Sequence, residues 1–245
     1  SAGTIFVADA ATADDLRTIA RAAAQLDEPL LLSGSAGLAR YVTDAFQLAS
    51  QTARAPAVEA IRGPILVVVG SPNSTSQSQA DALRRGMTVR EWSMTDTSGI
   101  AEEVLGHLRG DGENEPSNSP KVALLSLVEG EASLAGTSRT VRELADRDAF
   151  AGLAITGGTT ATATLRALES DGVEIVEAVG SEVPLCRLTG GPFQGLPIVT
   201  KGGALGEEDV FLKAVRRLWR TEPEGIHGAG SRMSTAAGVK DRPIL

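Results

Sequence analysis

Short apolar runs alternate along this chain with longer stretches in which apolar residues recur at helical spacing, the pattern of a largely parallel sheet covered on both faces. Ile65-Leu66-Val67-Val68-Val69 is the strongest strand, because a run of branched apolar residues bounded by Gly63-Pro64 and Gly70-Ser71-Pro72 suits a centre position buried on both sides. Ile5 to Ala8 and Pro29 to Leu32 read as two earlier strands. Met87 to Trp92, Val122 to Leu127, Leu153 to Ile155 and Pro197 to Thr200 read as later ones.

Between them the pattern predicts helices. Thr12 caps the first, with Asp14 and Asp15 in its opening turn and Leu16, Ile19, Ala20 and Ala23 on one face. Others are expected over Leu38 to Leu48, Thr75 to Arg85, Ile100 to Leu108 and Val141 to Asp146, and from near Thr160. The last, Glu207 to Trp219, turns Val210, Phe211, Ala214 and Leu218 to one side. Val173 to Leu188 reads as short strands and turns. The expected fold is α/β, a three-layer α/β/α arrangement with a largely parallel or mixed sheet.

No internal repeat is evident. Residues 1–220 are expected to form one domain, in which the polar stretch 111–120 is equally consistent with a boundary or a loop. Residues 221–245, rich in Gly, Ser and Pro, read as a poorly ordered tail.

Composition narrows the function classes. The 245 residues carry a net charge of -8, a pI near 4.9 and only 3% aromatics, which disfavours nucleic acid as a partner. Arg84-Arg85 and Arg216-Arg217 fall on predicted helices and read as solvated faces. Cys186 stands alone, so neither an internal disulfide nor a multi-cysteine zinc site is expected, and a small buried hydrophobe is the reading for it. No segment has the length of a membrane span and the first residues lack signal-peptide regions, so a cytoplasmic location is expected.

Candidate chemistry lies in the glycine and hydroxyl clusters after predicted strands: Ser33-Gly34-Ser35-Ala36-Gly37, Gly70-Ser71-Pro72-Asn73-Ser74 and Thr156-Gly157-Gly158-Thr159-Thr160. In an open parallel sheet the strand C-termini share the edge at which ligands bind. A helix start offers unpaired N–H groups and partial positive charge, glycines admit a ligand to the backbone, and threonines add hydroxyl donors, which together suit a phosphate. A further cluster, Lys201-Gly202-Gly203-Ala204-Leu205-Gly206, places a cation that either faces a phosphate or reaches solvent.

No GxxxxGK[ST] or GxGxxG loop is present. The Ser35 cluster has the look of a nucleophile elbow, yet the only candidate bases, His107 and His227, read as surface residues. A metal centre built by the protein is not expected; Mg²⁺ would arrive with nucleotide phosphates.

In order and spacing, several of these segments resemble the C-terminal, nucleotide-binding half of the four-carbon acid sugar kinases. They are Val7-Ala8-Asp9-Ala10 followed by Asp15-Leu16, Gly34-Ser35-Ala36-Gly37-Leu38-Ala39, Val69-Gly70-Ser71 with Gln79, Thr156-Gly157-Gly158, and Lys201-Gly202-Gly203 with Gly206. The resemblance runs from about Ile5 to Trp219. It implies ATP and Mg²⁺ as cofactors and a nucleotide site lined by Ser35, Gly157, Gly158, Thr159, Thr160, Gly202 and Gly203. Two positions depart from the family pattern: Thr159 stands where an acidic residue is usual, and Leu205 where Phe is usual.

The resemblance further implies a separate N-terminal domain, absent from this chain, that binds the sugar acid and supplies the base through an Asp-Asp-Leu-Thr-Gly-Ala type motif. Asp14-Asp15-Leu16-Arg17 is not that motif. The expected function is therefore the ATP-binding part of a kinase acting on threonate, erythronate or 3-oxo-tetronate, inactive by itself, with catalytic residues unassigned and a homodimer left open. The alternative is a non-catalytic nucleotide or sugar-acid binding module with a degenerate kinase site. A serine hydrolase using Ser35 is a weaker third.

Overall fold

A computed structural model describes residues 4–27, 29–48, 61–95, 99–110, 119–128, 130–180 and 183–219. Most of the predicted loop 111–120, the tail 221–245 and His227 lie outside them.

The first elements are two helices, α1 (Ala13–Ala24) and α2 (Ala36–Ala45), packed chiefly on each other. At the start of α1, Thr12 and Asp15 form a reciprocal capping box: the Thr12 hydroxyl accepts from the Asp15 N–H, and the Asp15 carboxylate from the Thr12 N–H. Those bonds hold the Asp15 carboxyl below the usual carboxylate range.

The two strands expected on either side of α1 do not form. Ile5 to Ala8 and residues 29–32 form no strand, with Val7 90% and Leu31 95% exposed. Period and propensity there favour a strand, but a strand needs a neighbour to take its N–H and C=O groups, and the sheet offers them none.

The sheet begins with β1 (Ile65–Val69) and continues through α3 (Ser74–Gly86), β2 (Arg90–Met94), α4 (Ile100–Arg109), β3 (Val122–Leu127), α5 (Glu131–Ala145), β4 (Gly152–Thr156) and α6 (Gly158–Ala167). It closes with β5 (Gly172–Ala178), β6 (Pro184–Thr189), β7 (Pro197–Lys201) and α7 (Val210–Leu218). Among the described residues it has seven strands in the order β2-β3-β1-β4-β7-β6-β5. The first five in that order run parallel, while β6 is antiparallel to both of its neighbours. The expected mixed α/β fold is thus the observed one.

Alternate residues of β1 feed different layers. Leu66 and Val68 pack with Val104 of α4, Val141 and Leu144 of α5, and Ala161 of α6. Ile65, Val67 and Val69 pack with Ala80 and Leu83 of α3 and with Phe211, Val215 and Leu218 of α7. All five β1 residues are buried, as a two-sided apolar run requires.

Helix α5 starts ten residues before the predicted Val141. Its first two-thirds carry Ser133, Thr137, Ser138 and Thr140 on buried positions, so the apolar period fails there. The hydroxyls of Thr137 and Ser138 bond back to the carbonyls of Ser133 and Leu134, which lets them be buried without loss.

Leu144 is fully buried between α5 and the sheet. Leu144→Ala is expected to lower unfolding free energy by about 2–5 kcal/mol in urea titrations, with an unchanged slope.

Candidate functional site

Because β1, β3, β4 and β7 are parallel, their C-terminal ends share one edge. Two ladders extend into the loops there: the Gly70 N–H donates to the Thr156 carbonyl at 3.1 Å, and the Gly157 N–H to the Lys201 carbonyl at 3.1 Å. From β1 the chain turns to α3 on one face of the sheet, while from the adjacent β4 it turns to α6 on the other. Such a divergence opens a crevice between neighbouring strands, the usual ligand position in an open α/β sheet.

One wall is the start of α6. Gly157 has φ 100°, a conformation costly for any residue with a Cβ, and its carbonyl accepts the first helical bond, from Ala161, at 2.9 Å. The N–H groups of Gly158, Thr159 and Thr160 therefore precede the first intrahelical donor and face the edge without helical partners. A Cβ placed on Gly158 would meet nothing within 4 Å. Among the described residues no contact accounts for a glycine at that position, whereas a phosphate held against the backbone would.

The two threonines differ. Thr159 is exposed, while Thr160 is buried and its hydroxyl lies 3.5 Å from the Gly70 carbonyl, at the limit of a hydrogen bond. Beside them a small cleft is walled by Pro72, Leu127, Val128 and Leu134, with Gly70, Gly130, Thr159 and Thr160 at its polar end. Gly130, at φ 136°, precedes a second helix start, that of α5. Sequence reasoning had no signal for this β3–α5 contribution, because Val128 and Gly130 match none of the glycine and hydroxyl clusters.

The turn after β7 meets the same edge, where Gly157 donates to the Lys201 carbonyl. Lys201 is only 5% exposed. Its ammonium donates to Thr156 Oγ1 at 3.0 Å and to the Gly203 carbonyl at 3.2 Å, and it lies 5.6 Å from the centre of the Phe211 ring. Burial lowers its pKa from 10.5 to about 8, equivalent to about 3 kcal/mol against the charged form. The alternative of a lysine reaching solvent is therefore not what the tertiary structure provides.

Helix α3 holds the same turn from the other side. Ser76 Oγ donates to the Gly203 carbonyl at 2.7 Å and lies 3.1 Å from Thr156 Oγ1. Gln79 Nε2 reaches the carbonyls of Leu205, Gly206 and Glu207 at 2.9–3.1 Å, which fixes the amide orientation, since its oxygen would repel all three. Gln79 Oε1 is left buried without a protein partner, a position suited to a water. The resemblance marks Gln79 without giving it a role and leaves Ser76 unmarked, yet both interrupt the buried stripe of Ala80 and Leu83 with polar groups, a legible sign of an internal task.

Of the residues the resemblance implied, Gly157, Gly158, Thr159, Thr160, Gly202 and Gly203 come together at this edge. Ser35 opens α2 and makes no side-chain cap bond. Its cluster follows no strand of the sheet, so the expectation that all three clusters follow strands is corrected: Gly70–Ser74 follows β1 and Thr156–Thr160 closes β4, while no strand forms at residues 29–32.

Other chemistries find little support. His107 is half-buried rather than on the surface: its Nε2 lies 3.3 Å from the Val122 carbonyl and its ring packs on Trp92. Cys186 is buried, and burial pushes its thiol up, away from the reactive thiolate. Arg84 pairs with Asp81 and Glu91, and Arg85 with Glu208, which leaves them committed to carboxylates. Among the described residues no cluster of His, Cys, Asp or Glu could hold a metal ion, and no helix is long and apolar enough to cross a membrane.

Residues 66–211 match the family described as the nucleotide-binding C-terminal domain. The chain belongs to the four-carbon acid sugar kinase family. It is 34% identical over 227 residues to the D-threonate kinase of Bordetella bronchiseptica, covering 89% of this chain and 53% of that protein. It is 28% identical over 243 residues to the D-erythronate kinase of Heliobacterium modesticaldum, covering 87% and 53%. The chain thus spans about half the length of the curated relatives it matches. A Bordetella bronchiseptica protein crystallised with citrate as a domain-swapped dimer superposes with a TM-score of 0.55 at 29% identity, over 86% of this chain and 52% of that one.

Two glycines of this edge differ in what a side chain would meet. A Cβ at Gly70 would overlap the Thr160 side chain, whereas one at Gly158 enters open space. In thermal melts, Gly70→Ala is expected to destabilise by about 1–3 kcal/mol, while Gly158→Ala leaves stability unchanged or raises it by about 0.5 kcal/mol.

Proposed function

We propose that this chain is the ATP-binding part of a kinase that phosphorylates a four-carbon sugar acid of the threonate, erythronate or 3-oxo-tetronate type. The observation that carries the reading is the switch point between β1 and β4, where the N–H groups of Gly158, Thr159 and Thr160 precede the first intrahelical donor, a Cβ on Gly158 would meet nothing within 4 Å, and Gly157 is bonded to the Lys201 carbonyl just before the Gly202–Gly203 turn. ATP supplies the transferable phosphoryl group and brings Mg²⁺ on its phosphates. The chain's own residues bind and orient: backbone amides at the start of α6 receive phosphate oxygens, Thr159 offers an exposed hydroxyl, and the apolar walls of the cleft exclude water. Ser35, at the start of α2, is included in this site on the resemblance alone.

The acceptor-binding domain, with the base and the selectivity for the acid, lies outside these residues in this proposal. Two observations support it. The chain matches about half the length of its relatives, and residues 4–48 have the order of a strand–helix–strand–helix unit with no sheet of their own. Ile5, Phe6, Val7 and Leu31, all exposed, are the residues such a unit would bury against parallel strands of a neighbouring domain. Phosphoryl transfer depends mainly on positioning, so a nucleotide held on one domain and an acceptor on another is chemically sound.

Calorimetric titration with ATP and Mg²⁺ tests the reading, with saturable binding below millimolar nucleotide expected. Folded protein that takes up no ATP at millimolar concentration would sink it. Gly158→Ala is expected to weaken binding by about tenfold, or about 1.4 kcal/mol, while its melting temperature holds. Thr159→Asp separates a kinase site from a degenerate binding module: unchanged Mg²⁺-dependent affinity fits the kinase, and a large gain fits a site that has lost its acid.

A further inference from the structure

Among the described buried polar residues, Lys201 is the one that carries a charge, and burial alone accounts for its lowered pKa. Its surroundings form a closed ring of hydrogen bonds. The single proton of Ser76 Oγ goes to the Gly203 carbonyl, so in the Ser76–Thr156 contact the Thr156 hydroxyl must donate, and Thr156 Oγ1 is then the acceptor for Lys201. Lys201 closes the ring by donating to Gly203 as well. The ring joins the last residue of β4, directly before Gly157, to the turn after β7.

We infer that Lys201 is a positioning residue of the nucleotide site, fastening the Gly202–Gly203 turn to the end of β4 so that the two glycine loops keep the spacing a bound polyphosphate requires. This rests on the ATP-binding reading above. Gly203 itself permits the approach on the far side, since a Cβ there would overlap Ser71 Oγ in the loop after β1. The ammonium also keeps a positive charge beneath the loops with no ion-pair partner among the described residues, an arrangement that an arriving anion relieves.

The charge makes the clamp sensitive to pH. The groups that face Lys201 are Thr156 of β4, Ser76 of α3, the Gly203 carbonyl and the Phe211 ring of α7, none of which titrates in the relevant range. The charged residues of α3 and α7 are occupied elsewhere: Arg84 with Asp81 and Glu91, Arg85 with Glu208, Lys213 with Glu207 and Asp209, and Arg217 with Glu177. Asp81 lies in the first of these pairs, and Arg216 is exposed. Below pH about 8 the ammonium makes charge-assisted bonds; above it a neutral amine makes weaker ones, so nucleotide affinity is full below that value and falls as pH rises through it. Bound polyphosphate favours the ammonium and moves the fall upward.

The test is ATP–Mg²⁺ affinity of the full chain from pH 7 to 9.5, where phosphate oxygens no longer titrate. Wild type is expected to lose about tenfold across that range. Lys201→Met is expected to bind about tenfold more weakly at pH 7 with a flat profile. Lys201→Arg, whose guanidinium stays charged, is expected to restore affinity at pH 7 and to remain flat. Melting curves report the fold, and if Lys201→Met does not fold, the wild-type profile decides. A flat wild-type profile, or a folded Lys201→Met that binds as wild type does, overturns the inference while leaving the ATP reading intact. Failure of wild type to bind at pH 7 overturns the ATP reading instead.

Discussion

A strand with an apolar side chain at every position has to be covered on both faces, and this constraint on β1 organises the molecule. Helices α3 and α7 cover one face and α4, α5 and α6 the other. The chain must therefore leave β1 toward one layer and the adjacent β4 toward the opposite layer. The crevice at their C-terminal ends is a by-product of satisfying the core, and the glycine loops occupy it because those ends are where the backbone turns.

The loops are held by buried polar groups rather than by more apolar packing. Gln79 ties α3 to the carbonyls of Leu205, Gly206 and Glu207, while Ser76, Thr156 and Lys201 close a ring on Gly203. A half-satisfied network of this kind costs stability, whereas a satisfied one is directional and fixes a geometry. Glycines at 70 and 203 let the segments come within side-chain contact, and the one at 158 leaves space unfilled. The same residue type thus does two jobs a few ångströms apart, and the cost of an added Cβ tells them apart.

Residues 4–48 obey a different logic. Their helices are well specified locally, with a complete capping box on α1, but their apolar segments are bare. Local preference cannot make a strand without a partner, which is why the pattern that correctly marked β1, β3 and β7 misled at Ile5 to Ala8 and at Pro29 to Leu32. The same failure leaves the Ser35 cluster without a sheet strand before it, unlike the other glycine loops.

The periodicity of the chain by itself determined the α/β class, β1 and β3 to the residue, and the apolar face of α7, because these follow from side-chain spacing and from turn residues at their ends. Gly157 and the cluster around it were legible for the same local reason. What only tertiary structure decided was which loops meet. Lys201 is buried and engaged instead of solvated, and Thr160 packs inward while Thr159 stays open. Ser76 and Gln79 act on a turn more than 120 residues away in sequence. A hydrogen bond across such a separation has no signature in local spacing, since it exists only after both layers have packed on the sheet.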